Sequence, residues 1–137
     1  TVMTITMITL FGIDGRYDPL KRPINQHRTE KKNRRIAYNF IDDRDTIIID
    51  DASSSFYLAL YIKEHPEKRL AIVTNSLLAG NELAGLDHVD LYMIGGHVGG
   101  HLAATMGDDA LENMKHFQVD KAFIGVHSIN FDVGITS

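Results

Sequence analysis

Residues Thr46–Leu60 read TIIIDDASSSFYLAL, and this stretch decides the fold. Thr46 to Ile49 is uniformly apolar or β-branched, which is typical of a strand covered on both faces, so it predicts a central strand of a parallel sheet. Phe56 to Lys63 carries apolar residues at helical spacing and predicts a helix that stops before Pro66. The stretch therefore predicts a strand, a loop and a helix in succession.

Three consecutive serines, Ser53, Ser54 and Ser55, lie between this strand and this helix. Ligands of open α/β sheets bind at the carboxyl ends of the strands. The unpaired N–H groups and the dipole of a helix N-terminus both favour negative charge there. Two interpretations stay open on these residues alone: one serine only caps the helix, or the three hydroxyls and the backbone N–H groups bind an anion.

The same alternation of strands and helices continues along the chain. Strands are predicted at Val2–Ile13, Leu70–Thr74, Val89–Ile94 and Ala122–Val126, and helices at Gln26–Ile41, from Asn75-Ser76 to Leu83, and at Gly107–His116. An irregular connection is predicted at Asp14–Asn25 because it contains glycine and proline. The succession predicts an α/β fold, a mostly parallel sheet with helices on both faces.

Small polar residues or glycines follow three of the predicted strands. Asp50 is followed by the serines, Thr74 by Asn75-Ser76, and Ile94 by Gly95-Gly96. Because the carboxyl ends of parallel strands meet at one edge of the sheet, this recurrence indicates a shared ligand cleft there.

Composition limits the class of protein. The 137 residues, 44% hydrophobic, suffice for one domain with a core, and a net charge of −4 gives no global signature of nucleic-acid binding. Seven basic residues lie between Lys21 and Arg35, and they fit either a solvated helix face or contacts to phosphates. The absence of cysteine excludes disulfides and fits a cytoplasmic protein. No segment has the length of a membrane span or the pattern of a signal peptide.

Two further groups of residues can be interpreted either as parts of a binding site or as residues without a role in binding. His97 and His101 are four residues apart, which suits a metal on a helix, but no third ligand has clear spacing, so we predict no metal site and no cofactor. A loop lining the pocket entrance is favoured there instead. Lys121 fits either a cation for a phosphate group or a solvated lysine.

Taken in order, these motifs resemble the sensor domain of the DeoR family of bacterial sugar-metabolism repressors. The matching pieces are TIIIDDASSS, VTNSL from Val73, Gly95-Gly96, Gly107, DKAFIGVHSIN from Asp120, and GIT from Gly134. Members of that family show an Asp-Ser-Gly-Thr-Thr-Thr loop, Thr-Asn-Ser-Leu, a Gly-Gly turn, Asp-Lys-Ala-Phe-x-Gly and Gly-Leu-Thr in this order. The resemblance extends from about Pro19 to Ser137.

The resemblance implies a fold like that of ribose-5-phosphate isomerase and the glucosamine-phosphate deaminases. It implies a domain that binds a phosphorylated sugar and thereby controls an N-terminal winged helix-turn-helix on operator DNA, in a cytoplasmic, homo-oligomeric repressor of carbohydrate metabolism. The effector-binding positions it implies, together with Lys121, are Asp50, Asp51, Ala52, Ser53, Ser54, Ser55, Thr74, Asn75, Ser76, Gly95 and Gly96. We expect residues 1–137 to form one effector-sensing domain, incomplete at its C-terminus and without the winged helix-turn-helix.

The chain departs from the family pattern at several positions. Ala52 replaces the loop glycine, Asp51 replaces a serine, and Gly99 replaces a basic residue. His127-Ser128-Ile129-Asn130 contains neither of the acids that related isomerases keep in this segment. Isomerisation needs a carboxylate base beside the substrate carbon, so we expect a sensor and not an enzyme. A sugar-phosphate isomerase or deaminase, and a dimerisation domain with a vestigial pocket, are the alternatives.

Overall fold

The computed structural model describes residues 6–11, 34–98, 103–126, 128–130 and 134–136. The strands are β1 (Thr6–Phe11), β2 (Thr46–Ile49), β3 (Leu70–Thr74), β4 (Val89–Met93), β5 (His97–Val98), β6 (Thr105–Met106), β7 (Lys121–Val126), β8 (Ser128–Asn130) and β9 (Gly134–Thr136). The helices are α1 (described over 34–39), α2 (Ser53–Glu64), α3 (Leu77–Leu83) and α4 (Asp108–Met114).

Five parallel strands form the central sheet in the order β1-β7-β2-β3-β4. β2 is the middle strand, which confirms the prediction made from its uniformly apolar sequence. β7 comes late in the chain but is inserted between β1 and β2, so the loop after β2 is flanked by the ends of β7 and β3. Two antiparallel pairs, β5 with β6 and β8 with β9, stand outside this sheet.

Helices cover both faces of the sheet, as predicted. On one face Ile47 and Ile49 of β2 pack in a buried cluster with apolar residues of α1, α2 and α3. On the other face Ile48 of β2 packs beside Val73 of β3, against α4 and the turn after it. Successive residues of a strand point to opposite faces. The alternation along β2 therefore places one core on each side of the sheet.

The sequence predicts one apolar stripe on α1, formed by Ile36, Ala37, Phe40 and Ile41, and this prediction is only partly correct. Ala37 and Ile41 are buried, but Ile36 and Phe40 are 45% and 55% exposed, and Tyr38 takes a buried position instead. The amides of Phe40 and Ile41 bond to carbonyls three residues back. This tight turn takes Phe40 off the 3.6-residue period on which the prediction relied. Ile36 precedes the turn, and its exposure is not explained by it.

Some predictions concern segments outside the described residues. They are the ends of the first strand, the connection Asp14–Asn25, the basic residues before Arg34, and positions Gly99, His101 and His127. Among the described residues, no three His, Asp or Glu side chains are grouped so that they could hold a metal ion. His97 lies in a β-strand, so the helical geometry considered for a histidine pair does not apply to it. None of the described helices has the length and apolar character needed to cross a membrane.

Candidate functional site

The carboxyl ends of four neighbouring strands meet at one edge of the sheet, here called the carboxyl edge. Ile49 is in register with Thr74 and Phe123, and Thr74 with Met93. Since adjacent strands lie about 4.8 Å apart, the residues that follow β2, β3 and β4 start within a few ångströms of one another. This brings the loop Asp50–Ser55, here called the serine loop, next to the segments after β3 and β4.

Helix α2 begins at Ser53, so the serines form its first turn and do not precede it. The N-cap residue is Ala52, whose φ of −68° and ψ of 153° are extended and which has no capping side chain. The simple interpretation of one serine as the cap is therefore wrong. The amide of Phe56 donates to the carbonyl of Ala52. For the amides of Ser53, Ser54 and Ser55, no acceptor is recorded within the described part of the chain, as expected at a helix N-terminus.

The three serine side chains have different surroundings. Ser53 is exposed, Ser54 is partly buried, and Ser55 is fully buried. The hydroxyl of Ser55 donates to the Asp50 carboxylate. Ser53 and Ser54 thus keep the hydroxyls that a ligand can reach, while Ser55 supports the loop from inside.

Asp50 fixes the serine loop to both of its neighbours. Its Oδ1 accepts from the amide of Ala52 at 3.2 Å and from Ser55, and its Oδ2 accepts from the amide of Gly125 at 3.0 Å. Burial raises the pKa of this carboxyl above its usual value, although these hydrogen bonds act in the opposite direction. The carboxylate is thus committed to the fold, and it connects β2, α2 and β7.

Gly125 allows the serine loop to pack directly on β7. A Cβ at this position would lie 2.2 Å from the Cβ of Ala52 and 2.8 Å from the Oγ of Ser54. Real Cβ atoms do not approach that closely, so the contact needs a glycine. Gly125 was not among the predicted site residues. Its position near the carboxyl end of a buried strand was the signal for it, since glycine in a strand marks a close approach of another backbone.

The segment after β3 is also held by internal hydrogen bonds. Thr74 is fully buried, donates to the carbonyl of Ile49 at 2.6 Å and accepts from the amide of Ser76 at 3.1 Å. Ser76 caps α3 by accepting from the amide of Ala79 at 3.1 Å. Thr74 and Ser76 therefore position the edge, and their hydroxyls are engaged within the protein.

Asn75 connects the edge to the hairpin of β5 and β6. The side-chain Nδ2 of Asn75 donates to the backbone carbonyl of Thr105 at 3.1 Å. The backbone carbonyl of Asn75 accepts from the amide of Thr105 at 2.9 Å. The Oδ1 of Asn75 is buried and has no hydrogen-bond partner among the described residues. Thr105 also donates through Oγ1 to the carbonyl of Ile94 at 2.9 Å. Sequence reasoning missed Thr105 because the hairpin itself was not predicted.

Gly95 and Gly96 follow β4 on the exposed rim of the same edge. A Cβ added at Gly95 would meet no atom of the described residues within 4 Å, so within this part of the chain the backbone is open to a ligand. Gly96 has a φ of +153°, which glycine alone adopts without strain. Asp51, in the serine loop, is exposed and brings a negative charge to the same rim.

Lys121 is not at this edge, and its inclusion in the predicted site is corrected here. It is the first residue of β7 and pairs in register with Ile47, at the amino ends of the strands. Its Nζ forms ion pairs with Asp45 and with Asp42, the latter at 3.1 Å. Gly125, on which the serine loop packs, lies four residues further along β7, which is about 13 Å at about 3.3 Å per residue.

Comparison with known proteins identifies the family. Residues 26–137 match the model of the DeoR C terminal sensor domain. A putative aga operon transcriptional repressor of Escherichia coli O157:H7 is 26% identical over 101 residues, 74% of this chain and 37% of that protein. The HTH-type transcriptional repressor GlcR of Bacillus subtilis is 28% identical over 110 residues, 79% of this chain and 41% of that protein.

A third relative is the lactose phosphotransferase system repressor of Lactococcus lactis subsp. lactis, 28% identical over 118 residues, 80% of this chain and 46% of that protein. The chain thus spans less than half the length of these relatives. All three are named as repressors, which confirms the expectation of a family of regulators and not of enzymes. With the family model matching most of its length, the chain belongs to the DeoR C-terminal sensor domain family.

Proposed function

We propose that this chain is the effector-binding domain of a transcriptional regulator of carbohydrate metabolism. The effector is a phosphorylated sugar, and its phosphate group binds at the first turn of α2. Binding changes the affinity of a separate DNA-binding part of the protein for its operator. Such control requires the effector to favour one of two arrangements of the whole regulator.

The observation that carries this proposal is the unpaired first turn of a 12-residue helix at the carboxyl edge. The amides of Ser53, Ser54 and Ser55 have no recorded acceptor among the described residues, and the hydroxyls of Ser53 and Ser54 lie beside them. A phosphate group offers several acceptor oxygens and a negative charge, which suit such donors and the helix dipole.

The neighbouring segments suit the sugar moiety. Within the described ranges the backbone at Gly95 is open, and the side chain of Asn75 carries an acceptor oxygen without a partner. A sugar hydroxyl is a donor for such an oxygen. One relative is named as the repressor of a lactose phosphotransferase system, and another as a putative repressor of the aga operon. These names support a role for this chain in the control of sugar metabolism.

The test is calorimetric titration of the chain with glucose 6-phosphate, fructose 6-phosphate, ribose 5-phosphate and the unphosphorylated sugars. We expect one of the phosphorylated sugars to bind and its unphosphorylated form to bind at least about tenfold more weakly. Substitution of Ser53 by aspartate places a competing negative charge on the first turn without disturbing packing, because this side chain is exposed. This variant is expected to lose binding, and its helix to be stabilised by about 0.5 kcal/mol.

The matched control is Ser53→Ala, which keeps the amides and removes only one hydroxyl, so a smaller loss of affinity is expected. A turnover assay on the same sugars separates a sensor from an isomerase, since a sensor returns its ligand unchanged. Equal binding of the wild type and Ser53→Asp would refute the assignment of the phosphate to this turn.

A further inference from the structure

We propose that Arg34 supplies the cation that pairs with the anionic group of the effector at the first turn of α2. This inference rests on the function proposed above and adds a specificity-determining residue to it. Arg34 selects phosphorylated over neutral sugars.

The position of Arg34 is fixed by an aromatic ring. Its guanidinium carbon lies 5.4 Å from the centroid of the Tyr57 ring. Tyr57 follows Ser53 by four residues in α2, so the two side chains share a face of the helix. Side chains of a helix lean toward its N-terminus. The guanidinium is therefore held within about one helical turn of Ser53.

The charge of Arg34 is not neutralised by the described part of the protein. The structure records no ion pair between Arg34 and another described residue, and its Nε is buried without a hydrogen-bond partner. Asp50 and Asp51 make the serine loop locally negative. An anion that binds this loop therefore needs a nearby cation, and the positive charge of Arg34 is paired with no carboxylate of the described residues.

The other lysines and arginines in the described ranges lie elsewhere. They are at the amino ends of the strands or at the far ends of helices: Arg44, Lys63, Lys68, Arg69, Lys115 and Lys121. Several are also engaged, since Lys63 pairs with Glu82 and Lys68 donates to carbonyls at the end of α1. Helix α1 runs antiparallel to α2, because Arg34 contacts Tyr57 whereas Tyr38, one turn later, contacts Tyr61 and His65 near the end of α2. The first described turn of α1 therefore lies toward the carboxyl edge. Among the described lysines and arginines, Arg34 is the one in contact with the first half of α2.

The two arginines provide a matched pair of variants. Arg34→Gln and Arg35→Gln remove the same charge from neighbouring positions, but only Arg34 is recorded against α2. The probes are the phosphorylated sugar that the wild type binds among glucose 6-phosphate, fructose 6-phosphate and ribose 5-phosphate, and inorganic phosphate. We expect Arg34→Gln to weaken both affinities at least about tenfold and Arg35→Gln to change them less than about twofold. Arg34→Lys keeps the charge but not the planar fork, so an intermediate loss is expected.

Circular dichroism and a urea titration establish that each variant is folded. If Arg34→Gln binds as the wild type does while Ser53→Asp does not bind, this inference fails and the proposed function stands. Equal losses of affinity in Arg34→Gln and Arg35→Gln would also overturn the inference, because they would indicate that the anion responds to the overall positive charge of this region and not to a contact with Arg34. If the wild type binds none of the probes, both this inference and the function on which it rests are wrong.

Discussion

At the level of single residues, the contact between Ala52 and Gly125 explains how this chain tolerates a departure from its family's loop. The family glycine is replaced by Ala52, whose backbone is extended and so accepts a side chain without strain. The Cβ of Ala52 packs into the space left by the missing side chain of Gly125. The extra methyl group is thus directed at the sheet and away from the ligand side of the loop.

This contact predicts that Gly125→Ala destabilises the protein. The new Cβ would lie 2.2 Å from that of Ala52, and overpacking of this kind costs about 2 kcal/mol. The free energy of unfolding from urea titration measures the loss. In the double variant Ala52→Gly, Gly125→Ala the contact with the Cβ of Ala52 is removed and only the approach to the Oγ of Ser54, 2.8 Å, remains, so at least about half of the lost stability is expected to return.

The control for this prediction is Gly95→Ala, since a Cβ there meets no atom within 4 Å in the part of the chain that the structure describes. It is expected to change stability by less than about 0.5 kcal/mol. A double variant that is no more stable than Gly125→Ala alone would mean that the two residues are not in contact.

At the level of elements, the two ends of β7 make contacts of different kinds. Its carboxyl end receives the serine loop through Gly125 and Asp50. Its amino end is fastened to β2 by Lys121, and by Asp120, which accepts from the amide of Thr46 at 2.8 Å. The lysine is therefore a structural residue of the amino edge.

We predict that Lys121→Met lowers stability without affecting effector binding. Lys121 and Asp45 are 13% and 12% exposed, and loss of one partner from a mostly buried pair costs about 2 kcal/mol. Burial lowers the pKa of Lys121, but the hydrogen bonds to Asp45 and Asp42 outweigh it, so the pKa is raised. The pair therefore stabilises the fold below the usual lysine pKa of about 10.4. This contribution is lost as the pH rises through the raised value.

Urea titration and calorimetry on the same variant separate the two effects. Lys115→Met is the comparison, because the pair of Lys115 with Glu112 is 62% and 65% exposed, and such surface pairs contribute less than about 1 kcal/mol. Reduced effector affinity in Lys121→Met at unchanged stability would return Lys121 to the binding site.

At the level of the whole molecule, the sequence predicted the sheet better than the site. The strands β2 and β3 could be identified because a strand buried on both faces consists almost entirely of apolar residues, and this is visible in the sequence. The position of β7 between β1 and β2 is not visible in the local sequence, since the order of strands depends on contacts between residues that are distant in the chain. The sequence did place Ser53 and Asn75 at one edge, because both follow predicted strands. The same rule assigns Lys121 to the other edge, since Lys121 precedes the predicted strand Ala122–Val126, and its inclusion in the site neglected this. Which serine hydroxyl stays accessible depended on the start of α2, and a run of three serines does not specify it.

The hydrogen bonds of the serine loop lead to a final prediction about the folded state as a whole. Asp50 joins the loop to β7, and Thr74 joins the end of β3 to that of β2. A ligand on the first turn of α2 therefore binds only when three strands are assembled. Ligand at about 100 times its Kd is expected to raise the free energy of unfolding by about 2.7 kcal/mol.

Hydrogen exchange with mass spectrometry distinguishes this global effect from a local one. Peptides from β2, β3 and β7 should gain protection together on addition of the phosphorylated sugar that binds, because their slowest amides exchange through unfolding of the same unit. Ser53→Asp should show no gain at the same concentration. Protection confined to the first turn of α2 would mean that the loop opens independently of the sheet. In that case the bonds from Asp50 to Gly125 and from Thr74 to Ile49 would not couple the ligand to the fold.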